Sequence, residues 1–169
     1  LGAPEEKLWI RVSAVAVGAL AAMMVNTAVS AMFYDQIFAR RLERVAEAVA
    51  SGAEGICAGK VGAMVPAFEL LSGLSAELVA AQRELSWRGN ADVGKEVGRR
   101  RQKVRGLLRV AHFAHDLALV VEDSGTRLKP SDVALLKHVA ARLRGEPSEA
   151  PNDVGEIGWR VLAALQKAA

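Results

Sequence analysis

From Val12 to Tyr34 the chain runs for 23 residues without a formal charge. No other feature constrains its fold as strongly. At about 1.5 Å rise per residue such a run makes a helix roughly 34 Å long, against a hydrocarbon layer about 30 Å thick. Its centre, from Ala14 to Val25, carries no polar side chain, and Asn26, Thr27 and Ser30 are polar but uncharged. Lys7 and Arg11 precede the run, Asp35, Arg40, Arg41 and Arg44 follow it, and Trp9 and Tyr34 lie near its two ends. Interfacial aromatics and flanking charges at those distances predict a helix that spans or docks in a bilayer. The competing reading is the buried central helix of a soluble bundle, which also yields long apolar runs. A signal-peptide core fits less well, because such cores are about 7–15 residues long.

One stripe of this helix predicts company. Ala14, Gly18, Ala22, Asn26 and Ser30 recur at every fourth position and share a face. Small residues so spaced let a second helix approach closely, and Asn26 there prefers an interhelical hydrogen bond to lipid tails. The expected partners are membrane lipids, other transmembrane helices of the same or a longer chain, and further copies of the protein. Three arginines within ten residues after the run place the C-terminal part on the cytoplasmic side.

The remainder reads as helical. Apolar residues make up 51% of the chain but aromatics only 5%, the apolar share being mostly Ala, Val and Leu, a mixture that favours helix over strand. A stalk is expected to run on to about Ala50, with Ser51-Gly52 and Gly55 loosening it. A second helix is expected over about 60–87, carried by Leu70, Leu71, Leu74, Leu78, Val79 and Leu85, with Pro66 marking a kink or a start. A third spans roughly 92–123, with Val97, Val104, Leu107, Leu108, Ala111, Leu117, Val120 and Val121 on its buried face. Lys129-Pro130-Ser131-Asp132 begins a fourth by N-cap chemistry, carrying Leu135, Leu136, Val139 and Leu143. A linker over 145–151 leads to a short last helix behind an Asp153/Glu156 capping box. The expected fold class is therefore all-α: one transmembrane helix (1–35), an antiparallel helical bundle (36–145), and a linker with a terminal helix (146–169). The chain opens Leu1-Gly2-Ala3-Pro4 without an initiator Met, so it is expected to belong to something longer.

Chemistry is sparse. His112, His115 and Asp116 share a helix face and are candidate metal ligands, but no second ligand pair matches them, and hydrogen-bonded core histidines are the default. Arg99, Arg100, Arg101, Lys103 and Arg105 place five cations in seven residues. Such a run can touch anionic headgroups, although a solvated helix face is the simpler reading. It lacks stacking aromatics, and a net charge of +3 does not argue for nucleic acid. The single Cys57 excludes an intrachain disulfide. There is no Gly-rich phosphate loop and no nucleophile elbow, so neither enzyme nor cofactor is expected.

One order of elements is familiar. A hydrophobic helix passes into the Arg-rich stretch Phe38-Ala39-Arg40-Arg41-Leu42-Glu43-Arg44. An Ala/Leu-rich helix follows, ending Glu77-Leu78-Val79-Ala80-Ala81-Gln82-Arg83-Glu84-Leu85-Ser86-Trp87, and then an arginine run opens the next helix. This resembles the C-terminal part of the FUSC / aromatic acid exporter family of bacteria, over about residues 8–145. The resemblance implies a bacterial inner-membrane exporter of aromatic carboxylates or related organic anions, with the cytoplasmic helices serving assembly or regulation. The family has several membrane helices where this chain has one, so no transport residue is carried over, and Asn26 alone is deep enough in the run to test. A membrane-anchored interaction or sensory module is the alternative.

Overall fold

The computed structural model describes residues 4–86, 91–125, 127–152 and 154–168, with side chains placed at 15–24 and, apart from Ile157, from 36–80 and 95 onward within those ranges. Among the described residues the chain is all-helical, with no strand. Helix α1 spans Pro4–Cys57, a 3-10 turn spans Val61–Met64, and α2 to α5 span Val65–Ser86, Ala91–Ser124, Pro130–Leu143 and Glu156–Ala168. Two compact units divide the chain, residues 1–40 and 41–169, and α1 contributes to both.

In the first unit, the described side chains from Val15 to Met24 are all exposed. Val15 and Met24 each show 72% of their surface and Leu20 57%.

The second unit carries the core, built from heptad-like stripes. Met64, Ala67, Leu71, Leu74 and Leu78 are buried at alternating three- and four-residue steps along the 3-10 turn and α2. Val97, Val104, Leu107, Ala111, Ala114 and Ala118 repeat the pattern on α3. That spacing keeps one face of each helix turned to its neighbours. Helix α3 is the hub and packs most extensively against α5 and α2. Leu135 of α4, Val154 and Leu162 form a smaller buried cluster, with Phe113 against it.

Residues 61–80 are, among the described residues, the stretch long and apolar enough to cross a membrane, at a mean hydropathy of 1.4. Only 28% of that stretch is buried, Val65, Leu70 and Val79 being exposed, and Glu69 and Glu77 interrupt it. Val15–Met24 is a shorter apolar helical stretch of ten residues.

Several boundaries differ from expectation. Helix α1 does not loosen at Ser51-Gly52 or Gly55 but continues to Cys57. Its end is a Schellman turn, in which Lys60 N–H donates to Gly55 C=O at 2.9 Å and Gly59 N–H to Ile56 C=O at 2.9 Å, with Gly59 at φ 80°. The turn folds the next residues back on the helix. A Cβ at Gly52 would stand 2.7 Å from Met64 Sδ, and one at Gly55 2.6 Å from Ala63 Cβ. These glycines are contact points rather than breakers. Pro66 marks a start, lying one residue into α2. Helix α4 begins without side-chain capping: Lys129 is the N-cap residue and makes no side-chain cap hydrogen bond, while Pro130 presets the first turn. The expected Asp153 cap lies outside the described residues.

Candidate functional site

A second Schellman turn ends α4. Glu146 N–H donates to Ala141 C=O at 2.9 Å and Gly145 N–H to Arg142 C=O at 3.1 Å, with Gly145 at φ 76°. The turn leaves Arg144 at the helix end, facing α1. There its guanidinium donates to Glu47 Oε1 from Nη2 at 2.9 Å, to Glu54 Oε1 from Nη1 at 2.5 Å, and to Ser51 Oγ at 3.4 Å. Glu47, Ser51 and Glu54 lie one and two turns apart on α1, so one fork meets both carboxylates. Sequence reading passed over this cluster because its members are about ninety residues apart. A further tie joins α1 to α2 through Arg41 and Glu77.

Hydrogen bonding to Arg144 holds the Glu47 and Glu54 carboxyls below their usual 4.5 and holds the Arg144 guanidinium in its charged form. The buried His138 is pushed below 6.5, first by burial and then by the charge of Arg142. Both shifts have the same sign in a stability balance. A group whose pKa falls on folding contributes stability above its unfolded pKa, and that stability is lost as pH falls through the folded value. The protein is therefore expected to weaken in two stages on acidification, from about pH 6.5 through His138 and from about pH 4.5 through the two glutamates. Urea denaturation between pH 8 and pH 3 checks this, and Arg144→Gln removes the second stage selectively.

Beside this cluster lies a half-open cleft of about 1070 Å³. One wall is α1, with Leu42, Glu43, Ala46 and Glu47. Lys103 and Leu107 come from α3, His138 and Arg142 from α4, Ser148 from the linker, and Trp159, Leu162 and Leu165 from α5. His138 Nδ1 lies 3.0 Å from Ser148 Oγ, which ties the linker to α4.

The sequence-derived candidates fall elsewhere. His112 and His115 both rest against Phe68 of α2, with ring centroids at 4.9 and 5.6 Å. Asp116 is exposed. Among the described residues, His115 Nδ1 is buried with no hydrogen-bond partner. Among the described residues no group of three His, Cys, Asp or Glu side chains is placed to hold a metal ion. The cationic run lies on α3, where Arg99 and Arg100 pair with Glu96 of their own helix at 3.4 and 3.1 Å. Arg101 and Arg105 are exposed and Lys103 is half-buried. Of the small-residue stripe, Gly18 and Ala22 are exposed, and a Cβ on Gly18 would meet nothing within 4 Å. The side chains of Ala14, Asn26 and Ser30 lie outside the described residues. Cys57 is half-buried, its Sγ 4.0 Å from Val133 C=O, and burial pushes its thiol up, away from the thiolate that reactivity needs.

No protein-family model, no curated protein and no solved structure matches the chain.

Proposed function

We propose that the chain is the membrane-proximal and cytoplasmic part of a bacterial inner-membrane exporter of aromatic carboxylates or related organic anions. In this reading residues 1–35 are a transmembrane helix with a short flank, continuing into a stalk. Residues 36–145 form an antiparallel cytoplasmic bundle that serves assembly or regulation, and 146–169 supply the linker and last helix. The observation that carries the membrane assignment is the exposure of every described side chain from Val15 to Met24. Val15, Val17, Leu20, Met23 and Met24 each show more than half their surface. An apolar helix exposed on all faces needs lipid or other helices around it, since exposed apolar surface costs about 25 cal/mol per Å² in water. Transport itself rests on the family resemblance, and the cationic run of α3 suits a cytoplasmic surface near anionic headgroups.

The small-residue stripe supplies the assembly contact. Replacing Gly18 by Leu puts a bulky side chain where close helix approach is needed and is expected to weaken self-association in membranes several-fold. Cross-linking in isolated membranes measures it. For the function as a whole, the membrane fraction should retain the protein through alkaline carbonate, and cells lacking the gene should retain added benzoate longer than cells carrying it. Release by carbonate, or identical benzoate efflux in the two strains, contradicts the proposal.

A further inference from the structure

Helix α3 turns a second stripe outward, opposite its core stripe of Val104, Leu107, Ala111 and Ala114. At about 100° per residue, Arg101, Arg105, Arg109, His112, Asp116 and Asp123 fall within about 40° of one line along the helix, and all six are exposed. The line is polarised. Its charges are all positive in the N-terminal half, at Arg101, Arg105 and Arg109, and negative in the C-terminal half, at Asp116 and Asp123. Leu119 and Val120 lie beside the carboxylates, 39% and 62% exposed. Arg105 and Arg109, four residues apart, repel each other along the helix. Among the described residues neither these two arginines nor Asp116 and Asp123 have a hydrogen-bond or ion-pair partner for their side chains within the chain.

We infer that this face of α3 is the contact between two copies of the chain, packed antiparallel about a twofold axis near residue 113. A face that is basic at one end and acidic at the other complements itself only when turned end for end, which is what an isologous contact does. In that arrangement Arg105 faces Asp123 of the second copy and Arg109 faces its Asp116. The twofold repeats both, so four ion pairs close across the contact. Leu119 and Val120 pack against the aliphatic stems of the opposing arginines. A strip about 33 Å long and about 10 Å wide buries on the order of 300–400 Å² per copy, well under the roughly 800 Å² of a standard interface. The pair is therefore weak and salt-sensitive, held by charge more than by area. Only α3 contributes to it, so the contact is separate from the Gly18 stripe and does not rest on the membrane or transport assignment.

The test uses the full chain in a non-ionic detergent, with His112→Cys in a Cys57→Ser background. Position 112 is exposed and next to the twofold, so a short bis-maleimide should cross-link the copies, about tenfold less at about 0.5 M than at about 0.05 M salt. Gly98→Cys lies on the same exposed face but about 45 Å from its counterpart in the antiparallel pair, and should give no cross-link. Arg105→Asp/Arg109→Asp and Asp116→Arg/Asp123→Arg should each lower cross-linking at position 112 about tenfold or more, since four exposed pairs are turned into repulsions. Mixed in equal amounts, the two reversed chains should cross-link again, because each supplies the charges that the other lacks. Circular dichroism checks that every variant keeps its helical content. Equal cross-linking at positions 98 and 112, or a mixture that stays unlinked, overturns the inference. If the arginine variant cross-links like the parent but binds phosphatidylglycerol vesicles more weakly, the arginines serve lipid headgroups and the inference falls. Should a reversed chain lose its fold, the contrast between positions 98 and 112 and the salt dependence decide.

Discussion

Replacing Gly106 by Leu is expected to cost about 3 kcal/mol of stability, the upper part of the range for overpacking a well-filled core. Gly106 sits at the crossing of α3 and α5. A Cβ there would stand 2.8 Å from Ala164 O and 3.1 Å from both Ala168 N and Ala168 Cβ. Two of these atoms are backbone, so no side-chain rotation relieves them. The whole of α5 would have to lift off the helix it packs against most closely. Leu is a far better helix former than Gly, by somewhat under about 1 kcal/mol, and this gain is too small to compensate. Gly98, on the same helix, separates the two effects. A Cβ there meets nothing within 4 Å and the position is exposed, so Gly98→Ala should stabilise by about 0.5–1 kcal/mol. Urea denaturation of the two variants checks both, and opposite signs are expected.

Leu135→Ala is expected to destabilise by a similar amount, about 3 kcal/mol within the 2–5 kcal/mol range for emptying a core leucine site. Leu135 is 2% exposed and shares its cluster with Val154 and Leu162, with Phe113 alongside. It also supports the beginning of α5, its Cδ2 lying 3.3 Å from where a Gly158 Cβ would be. A cavity there loosens the linker and α5 together, whereas the stripe of Leu71, Leu74 and Leu78 on α2 is untouched. Hydrogen exchange should accordingly show α5 amides losing protection before those of α2.

Those two sites illustrate what could be read from residues alone. Apolar spacing located α2 to α5, because a helix facing a core must repeat at three and four residues whatever it faces. It identified Leu71, Leu74, Leu78, Val104, Leu107 and Leu135 as core, and all are buried. It failed where the stripe is wider than the contact. Leu70, Val79 and Val120 were assigned inward and are 43%, 42% and 62% exposed. It also read Gly52 and Gly55 as breakers. Glycine marks flexibility and close approach alike in sequence, and the fold-back of Ala63 and Met64 is what distinguishes them. Arg144, His138 and Phe68 carried no local signal. Their roles follow from which helices meet, and pairing across ninety residues leaves no period to detect. The reverse holds for His112, His115 and Asp116, whose spacing suggested ligands while the histidine rings pack against Phe68.

The account stands on the apolar run near the start being surrounded by lipid, and site-directed accessibility tests that most directly. Leu20→Cys and Gln102→Cys, each in a Cys57→Ser background, are probed in inverted inner-membrane vesicles with a membrane-impermeant maleimide. The cysteine at position 102, exposed on α3, should label at once. The one at position 20 should stay unlabelled until detergent is added. Labelling at position 20 in intact vesicles at the rate seen for position 102 would contradict the account.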